Sequence, residues 1–107
     1  MDKFYPEVGT KLYLWTPCND SWVAMIRKPY TVIGKEKRKV LIQRCKLIFN
    51  GVRYYDTLPD EIQEDPQGQV RKLSWAPKKC RWQVDENRSG YPEVAVFGEW
   101  DYQPYLN

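Results

Sequence analysis

The apolar residues of this chain recur in short runs with a two-residue period, and no segment of ten or more residues shows a sustained helical period. The clearest run is residues 11–16, where Leu12 and Leu14 alternate with Tyr13 and Trp15. Short strands at close spacing are typical of small barrels and of curled sheets. We therefore expect an all-β fold, an SH3-like barrel or a curled antiparallel sheet of about six or seven short strands.

Stretches rich in turn-forming residues separate several of these runs and predict hairpins. The strongest signal is Asn50-Gly51, because both residues tolerate the positive φ of a type I′ turn. The predicted pairs are 11–16 with 22–26 across 17–21, 47–49 with 52–55 across Asn50-Gly51, and 69–75 with 79–84 across 76–78.

Other segments interrupt or end the predicted sheet. Pro29 lacks a backbone N–H and predicts an edge or a bend in the strand that continues through residues 30–34. Residues 35–39 form a charged tip before a strand at 40–42, and 56–69 read as a long acidic loop. Residues 94–97 form a last short strand, and we expect the aromatic tail after it to lie across the barrel mouth.

The length of 107 residues and a hydrophobic content of 42% predict a single domain covering residues 1–107. The chain start lacks the pattern of a signal peptide, and no stretch approaches the roughly 18 apolar residues of a spanning helix. The expectation is a cytoplasmic protein with no membrane partner.

The residues that usually carry chemistry are scarce. Histidine is absent, which removes the commonest general base and metal ligand. Cys18, Cys45 and Cys80 are odd in number and far apart, so they predict reduced, semi-buried thiols rather than disulfides or a zinc site. We expect no cofactor, no metal and no catalytic residues.

Basic residues cluster in two segments. Residues 27–46 contain eight basic residues and one acidic residue, and residues 71–81 contain five basic residues and no acidic one. Cations that neutralise phosphates, beside rings that stack on bases, are what binding flexible nucleic acid requires. The residues proposed for this contact are Lys35, Lys37, Arg38, Lys39, Arg44, Arg71, Lys72, Lys78, Lys79 and Arg81, with Tyr13, Trp15, Tyr30 and Trp82 as an aromatic platform.

The ordinary interpretation of the same residues is structural. Lysines and arginines on strands and hairpin tips often only keep the surface soluble and guard sheet edges. Most of the tryptophans are expected in the core, because short strands need large side chains to fill it. The nucleic-acid hypothesis therefore depends on whether the basic residues share one face.

A resemblance in fold style accompanies these patterns. The Val8-Gly9 pair leading into the first strand is similar to the way many SH3-like and KOW-type barrels begin. This likeness implies a small barrel and nothing about activity or partners.

Three functional hypotheses follow. The first is a non-catalytic module that binds nucleic acid through its basic, aromatic hairpins. The alternative is a protein-interaction or inhibitor module, of the kind that accessory genes of bacteria and their phages encode, using exposed aromatic residues with a charged rim. The third is a small hydrolase-like enzyme using Glu99 and Asp101, the one carboxylate pair beside an aromatic cluster.

Overall fold

The computed structural model describes residues 5–15, 27–50, 59–84 and 93–102. Within these residues the chain forms eight strands and no helix. They are β1 (Lys11–Trp15), β2 (Arg27–Glu36), β3 (Lys39–Arg44), β4 (Lys46–Ile48), β5 (Glu61–Gln63), β6 (Val70–Ala76), β7 (Arg81–Val84) and β8 (Val94–Phe97).

Six of these strands close into an antiparallel barrel in the order β1-β2-β3-β6-β7-β8. The barrel is closed by β1, which pairs with β2 along one edge and with β8 along the other. The remaining strands, β4 and β5, pair with each other in a separate two-stranded sheet. The prediction of an all-β fold is confirmed, and the barrel is consistent with a small SH3-like barrel.

Alternation along the strands fills the barrel interior. Leu12 and Leu14 of β1 are buried while Tyr13 and Trp15 are only partly covered, as the two-residue period predicts. The same pattern holds in β3 and β7, and Leu73 is the buried residue of β6. The buried core consists of Leu12, Leu14, Tyr30, Val32, Val40, Ile42, Leu73, Trp82 and Val84.

The irregularity of β2 lies at Ile33 and not at Pro29. β2 continues through Pro29, which lies opposite Tyr13 of β1 and accepts a hydrogen bond from the Cys45 amide at 3.1 Å. The pairing of β2 with β3 begins at Tyr30, one residue after Pro29. The missing N–H of Pro29 therefore falls at the end of that hydrogen-bonded ladder. The register shifts between Val32 and Gly34, so the expected bend is a β-bulge at Ile33.

The two-stranded sheet departs from the sequence prediction. The predicted acidic loop 56–69 contains β5, whose Ile62 lies opposite Leu47 of β4. Gly51 and the predicted second strand of the Asn50-Gly51 hairpin, residues 52–55, lie outside the described residues. The partner found for β4 is nevertheless β5, and the Asn50 amide donates to the Asp60 carboxylate at 2.6 Å.

The other predicted elements have mixed outcomes. Strand β8 matches the prediction at 94–97, and β6 and β7 form the predicted hairpin. The first predicted hairpin pairs 11–16 with 22–26. Its first strand matches β1, and its turn and second strand lie outside the described part of the chain. The described part of the tail, 98–102, turns back along the outside of β1 and β2 rather than crossing the barrel mouth. Two hydrogen bonds hold it there: the Gly98 amide donates to the carbonyl of Lys11, and the Trp100 indole N–H donates to the carbonyl of Tyr30.

No helix among the described residues has the length and apolar character needed to cross a membrane.

Candidate nucleic-acid interface

Two hairpin tips project from the same end of the barrel. The β2–β3 hairpin turns at Lys37-Arg38, and the β6–β7 hairpin turns at residues 77–80. Val40, near the start of β3, lies opposite Leu73 at the middle of β6, so the start of β3 lies beside the end of β6. Both turns therefore leave the barrel where β3 begins and β6 ends, and we call this the basic end.

The basic end gathers seven of the ten basic residues proposed from the sequence. Lys35 is included because it lies opposite Val40, one strand position from the tip. Glu36 lies in the same hairpin, and its carboxylate faces Lys72 Nζ at 3.5 Å, which partly offsets the positive charge. The seven residues, all exposed or half-exposed, are Lys35, Lys37, Arg38, Lys39, Lys78, Lys79 and Arg81.

An aromatic cluster lies beside these cations. Trp75 packs edge-on against Trp82 with ring centroids 5.5 Å apart, and Tyr5 packs against the same ring at 5.4 Å. Trp82 is buried, whereas Tyr5 and Trp75 keep part of their surface exposed. The Lys35 ammonium lies 3.8 Å from the centre of the Tyr5 ring, in a cation–π contact.

Local geometry explains how the tips present their side chains. Lys37 has φ of 57° and Cys80 has φ of 50°, the left-handed conformation that lets a short loop reverse the chain. In the β6–β7 loop, the Lys79 amide bonds Ala76 O at 3.1 Å. These tight turns leave Lys78, Lys79 and Cys80 exposed.

Arg44 and Arg71 do not belong to the basic end. Arg44 ends β3 and Arg71 lies near the start of β6, so both are at the opposite end of the barrel. The Arg44 guanidinium lies 5.8 Å from the Tyr30 ring, and Arg71 forms an ion pair with Glu93 at 2.6 Å. Their proposed role in a shared basic surface is corrected, because they serve the packing of that other end.

Lys72 is intermediate between these two groups. It lies on the outer side of β6, opposite Leu41 of β3, and pairs with Glu36 of the adjacent hairpin. Lys72 extends the basic end along the outer face of β6, but the Glu36 carboxylate already offsets part of its charge.

The proposed aromatic platform is wrong at two of its four positions. Tyr30 is 1% exposed and Trp82 is 2% exposed, so both are core residues and neither can stack on a base at the surface. Tyr13 and Trp15 do lie on the outer face of β1, but the Arg27 guanidinium lies 5.5 Å from the Tyr13 ring. Trp15 is at the far end of β1 from the basic end.

Tyr5 and Trp75 are the aromatic residues that sequence reasoning missed. The signal for Trp75 was its place at the end of a strand immediately before a basic turn. Its alternation with Leu73 correctly indicates an inward face, but a residue near the open end of a barrel stays partly exposed even when it points inward. No local signal could have placed Tyr5 against Trp82, since they are far apart in sequence.

Two arginines outside the basic end, Arg27 and Arg71, have raised pKa values. The hydrogen bond to Asp101, at 2.6 Å, raises the pKa of Arg27. Burial lowers the pKa of Arg71, but hydrogen bonds to Tyr30 and Glu93 outweigh this and leave it raised. Both side chains are held in place by these contacts.

The cysteines differ from one another. Cys45 is buried, and burial raises the pKa of its thiol despite a 3.3 Å hydrogen bond with the Thr31 hydroxyl. Cys80 is exposed at the β6–β7 tip, which corrects the expectation that it is semi-buried. Cys18 lies outside the described residues.

Asp101, one of the two carboxylates proposed for an enzyme, already has hydrogen-bond partners. Asp101 accepts hydrogen bonds from Arg27 and from the Tyr102 amide. Glu99 and Asp101 both follow the last strand, β8. Within the described ranges, no group of three or more histidine, cysteine or acidic residues could hold a metal ion.

The basic end therefore combines positive charge with partly exposed aromatic rings. Exposed cations are the groups that neutralise phosphates, and exposed aromatic rings are the groups that stack on bases.

Comparison of the chain with protein-family models, with curated proteins and with solved structures finds no match.

Proposed function

We propose that this chain is a non-catalytic module that binds single-stranded nucleic acid through the basic end of its barrel. The observation that supports this most strongly is the meeting of two sequence-distant hairpin tips. Together they bring Lys37, Arg38, Lys78 and Lys79 around a partly exposed aromatic cluster.

The single-stranded form is favoured by the shape of the surface. Loops with flexible cations around a small aromatic cluster suit a backbone that can bend and a base that is free to leave its stack. The described residues of the basic end offer neither a helix nor a long ribbon of the kind that enters the major groove of a duplex.

The test is binding of labelled single-stranded RNA, single-stranded DNA and duplex DNA, followed by fluorescence anisotropy as salt rises from about 50 to 200 mM. The test variant is Lys37→Glu/Arg38→Glu/Lys79→Glu. We expect salt-sensitive binding of single strands by the wild type and loss of at least tenfold in affinity in this variant.

The matched control reverses three exposed or half-exposed charges away from the basic end. Lys11→Glu, Lys28→Glu and Lys46→Glu lie in β1, β2 and β4. This control carries the same change in net charge, so equal loss in both variants would mean a general effect of charge and would contradict the proposed interface.

The alternative, a protein-interaction or inhibitor module, is supported by a different surface. Val8 and Ile33 are exposed apolar residues beside an acidic cleft on the outside of β2 and β3. This surface has the opposite charge to the basic end, so the two functions are compatible in one domain.

A further inference from the structure

A cleft of about 260 Å³ lies on the outer side of β2 and β3, separate from the basic end. One wall comes from Val8, Gly9 and Ile33, where the chain before β1 meets the bulge of β2. The other wall comes from the loop after β5, through Glu64, Asp65 and Pro66.

The loop wall is held firmly against the barrel. Gln43 of β3 donates from its side-chain amide to the carbonyl oxygens of Pro66 at 3.0 Å and Gly68 at 3.1 Å. Gly68 lies so close to the carbonyl of Arg44 that a Cβ at this position would collide with it. The cleft is therefore a preformed feature of the fold, which lowers the cost of binding.

The Thr31 and Gln43 side chains that line the cleft already have hydrogen-bond partners. The Thr31 hydroxyl is hydrogen-bonded to the Cys45 thiol, and the Gln43 amide holds the loop. Asp65 accepts from the Gln67 amide at 3.0 Å through one carboxylate oxygen. A carboxylate can accept further bonds, so Glu64 and Asp65 supply the acceptors that a ligand would meet.

The lining defines the chemistry of the ligand. Val8, Val32, Ile33 and Pro66 give apolar walls, and no lysine or arginine is among the described residues that line the cleft. Two carboxylates at the rim of an apolar cleft complement a cation carried on an aliphatic stem, the form of an arginine or lysine side chain.

The size of the cleft sets a limit on the ligand. Pockets for drug-sized molecules run from about 300 to 1,000 Å³, so this cleft is suited to one side chain. Val8 and Ile33 are 71% and 38% exposed beside it, and they offer apolar contacts to the residues that flank such a side chain. A free cation would make no apolar contact with Val8 or Ile33.

We infer that this cleft binds an arginine or lysine side chain presented by an extended segment of a partner protein. The inference is independent of the proposed nucleic-acid function, because it concerns a different surface of opposite charge. Phosphates are repelled by Glu64 and Asp65, so nucleic acid is not a competing ligand for this cleft.

The test uses a capped Val-Arg-Val tripeptide, followed by NMR of the ¹⁵N-labelled full chain at peptide concentrations up to about 10 mM. The matched probe is the same tripeptide with citrulline in place of arginine, which keeps the shape and removes the charge. We expect shifts at Gly9, Ile33 and Asp65 with the arginine peptide and at least tenfold weaker binding of the citrulline peptide.

Two exposed positions provide matched variants. Val8→Arg places a cation of the protein itself beside the carboxylates and should abolish the shifts, whereas Phe49→Arg introduces the same charge at an exposed residue outside the cleft and should preserve them. Glu64→Gln should weaken the arginine peptide several-fold and leave the citrulline peptide unchanged.

The inference is overturned if the two peptides bind equally, if no shift occurs at 10 mM, or if the shifts lie outside the cleft. It is also overturned if capped arginine alone binds as well as the tripeptide, because the flanking contacts with Val8 and Ile33 would then contribute nothing.

Discussion

The Arg71 guanidinium lies 2.6 Å from the Glu93 carboxylate, and both side chains are more than two-thirds buried. This ion pair joins the start of β6 to the residue before β8, and Arg71 also donates to the Tyr30 hydroxyl at 3.4 Å. An arginine that sequence composition assigns to nucleic-acid binding is therefore part of the packing at the opposite end of the barrel.

Replacement of Arg71 should reduce stability without changing nucleic-acid binding. Arg71→Gln leaves a partly buried carboxylate without its charged partner, and we expect a loss of about 1.5–3 kcal/mol in the free energy of unfolding by urea. Lys72→Gln is the control, since its exposed pair with Glu36 should contribute less than about 1 kcal/mol. If Arg71→Gln left stability unchanged but weakened oligonucleotide affinity, Arg71 would belong to the nucleic-acid interface.

The salt dependence of binding should show how many phosphates the β6–β7 tip contacts. Lys78→Gln/Lys79→Gln should reduce the slope of log affinity against log salt by about 1.4, because each phosphate contact to a single strand contributes about 0.7. The measurement is anisotropy titration at several salt concentrations. An unchanged slope would show that this tip makes no phosphate contact, even if the affinity itself falls.

Trp75 and Trp15 should respond differently to the same substitution. Trp75→Leu keeps an apolar side chain against Trp82 but removes the stacking surface, and we expect affinity for single strands to fall by roughly tenfold to a hundredfold, or about 1–3 kcal/mol. Trp15→Leu, at the far end of β1, should leave affinity unchanged. The opposite result would move the contact surface to the outer face of β1. Urea unfolding of both variants separates loss of binding from loss of the fold.

Periodicity predicted the inward side chains of β1 correctly because a strand with one polar face shows which side is buried. It failed for β2, where the four consecutive residues from Pro29 to Val32 are all buried. Alternation then says nothing about which face is covered, and Tyr30 was assigned to the surface although it fills the core.

The candidate interface depends on non-local pairing that no local pattern contains. Each basic hairpin was visible in the sequence, but only the β3–β6 register places the two tips at one end and leaves Arg44 and Arg71 at the other. The pairing of β4 with β5 is also non-local. Asn50-Gly51 predicted residues 52–55 as the partner of residues 47–49, and those partner residues lie outside the described part of the chain. Within the described part, β4 pairs with the more distant β5.

Cys80 should report on occupancy of the basic end. Its thiol is exposed between Lys79 and Arg81, so iodoacetamide should modify it quickly in a Cys18→Ser background, while buried Cys45 reacts slowly. Saturating single-stranded RNA should slow alkylation of Cys80, as measured by mass spectrometry of the peptide. Equal rates with and without bound RNA would place the RNA away from this tip.

Cys45 should make stability fall at alkaline pH. Burial raises the pKa of its thiol above the ordinary value of 9.0, and the Thr31 hydrogen bond only partly opposes this. The folded chain therefore holds this proton more tightly than the unfolded chain, so the contribution is fully present below pH 9.0 and is lost as pH rises through the higher folded pKa. Urea unfolding of wild type and Cys45→Ser from pH 7 upward tests this, with a steeper decline above pH 9.0 expected in the wild type. Parallel curves would mean that the thiol titrates alike in both states, which contradicts the buried position of Cys45.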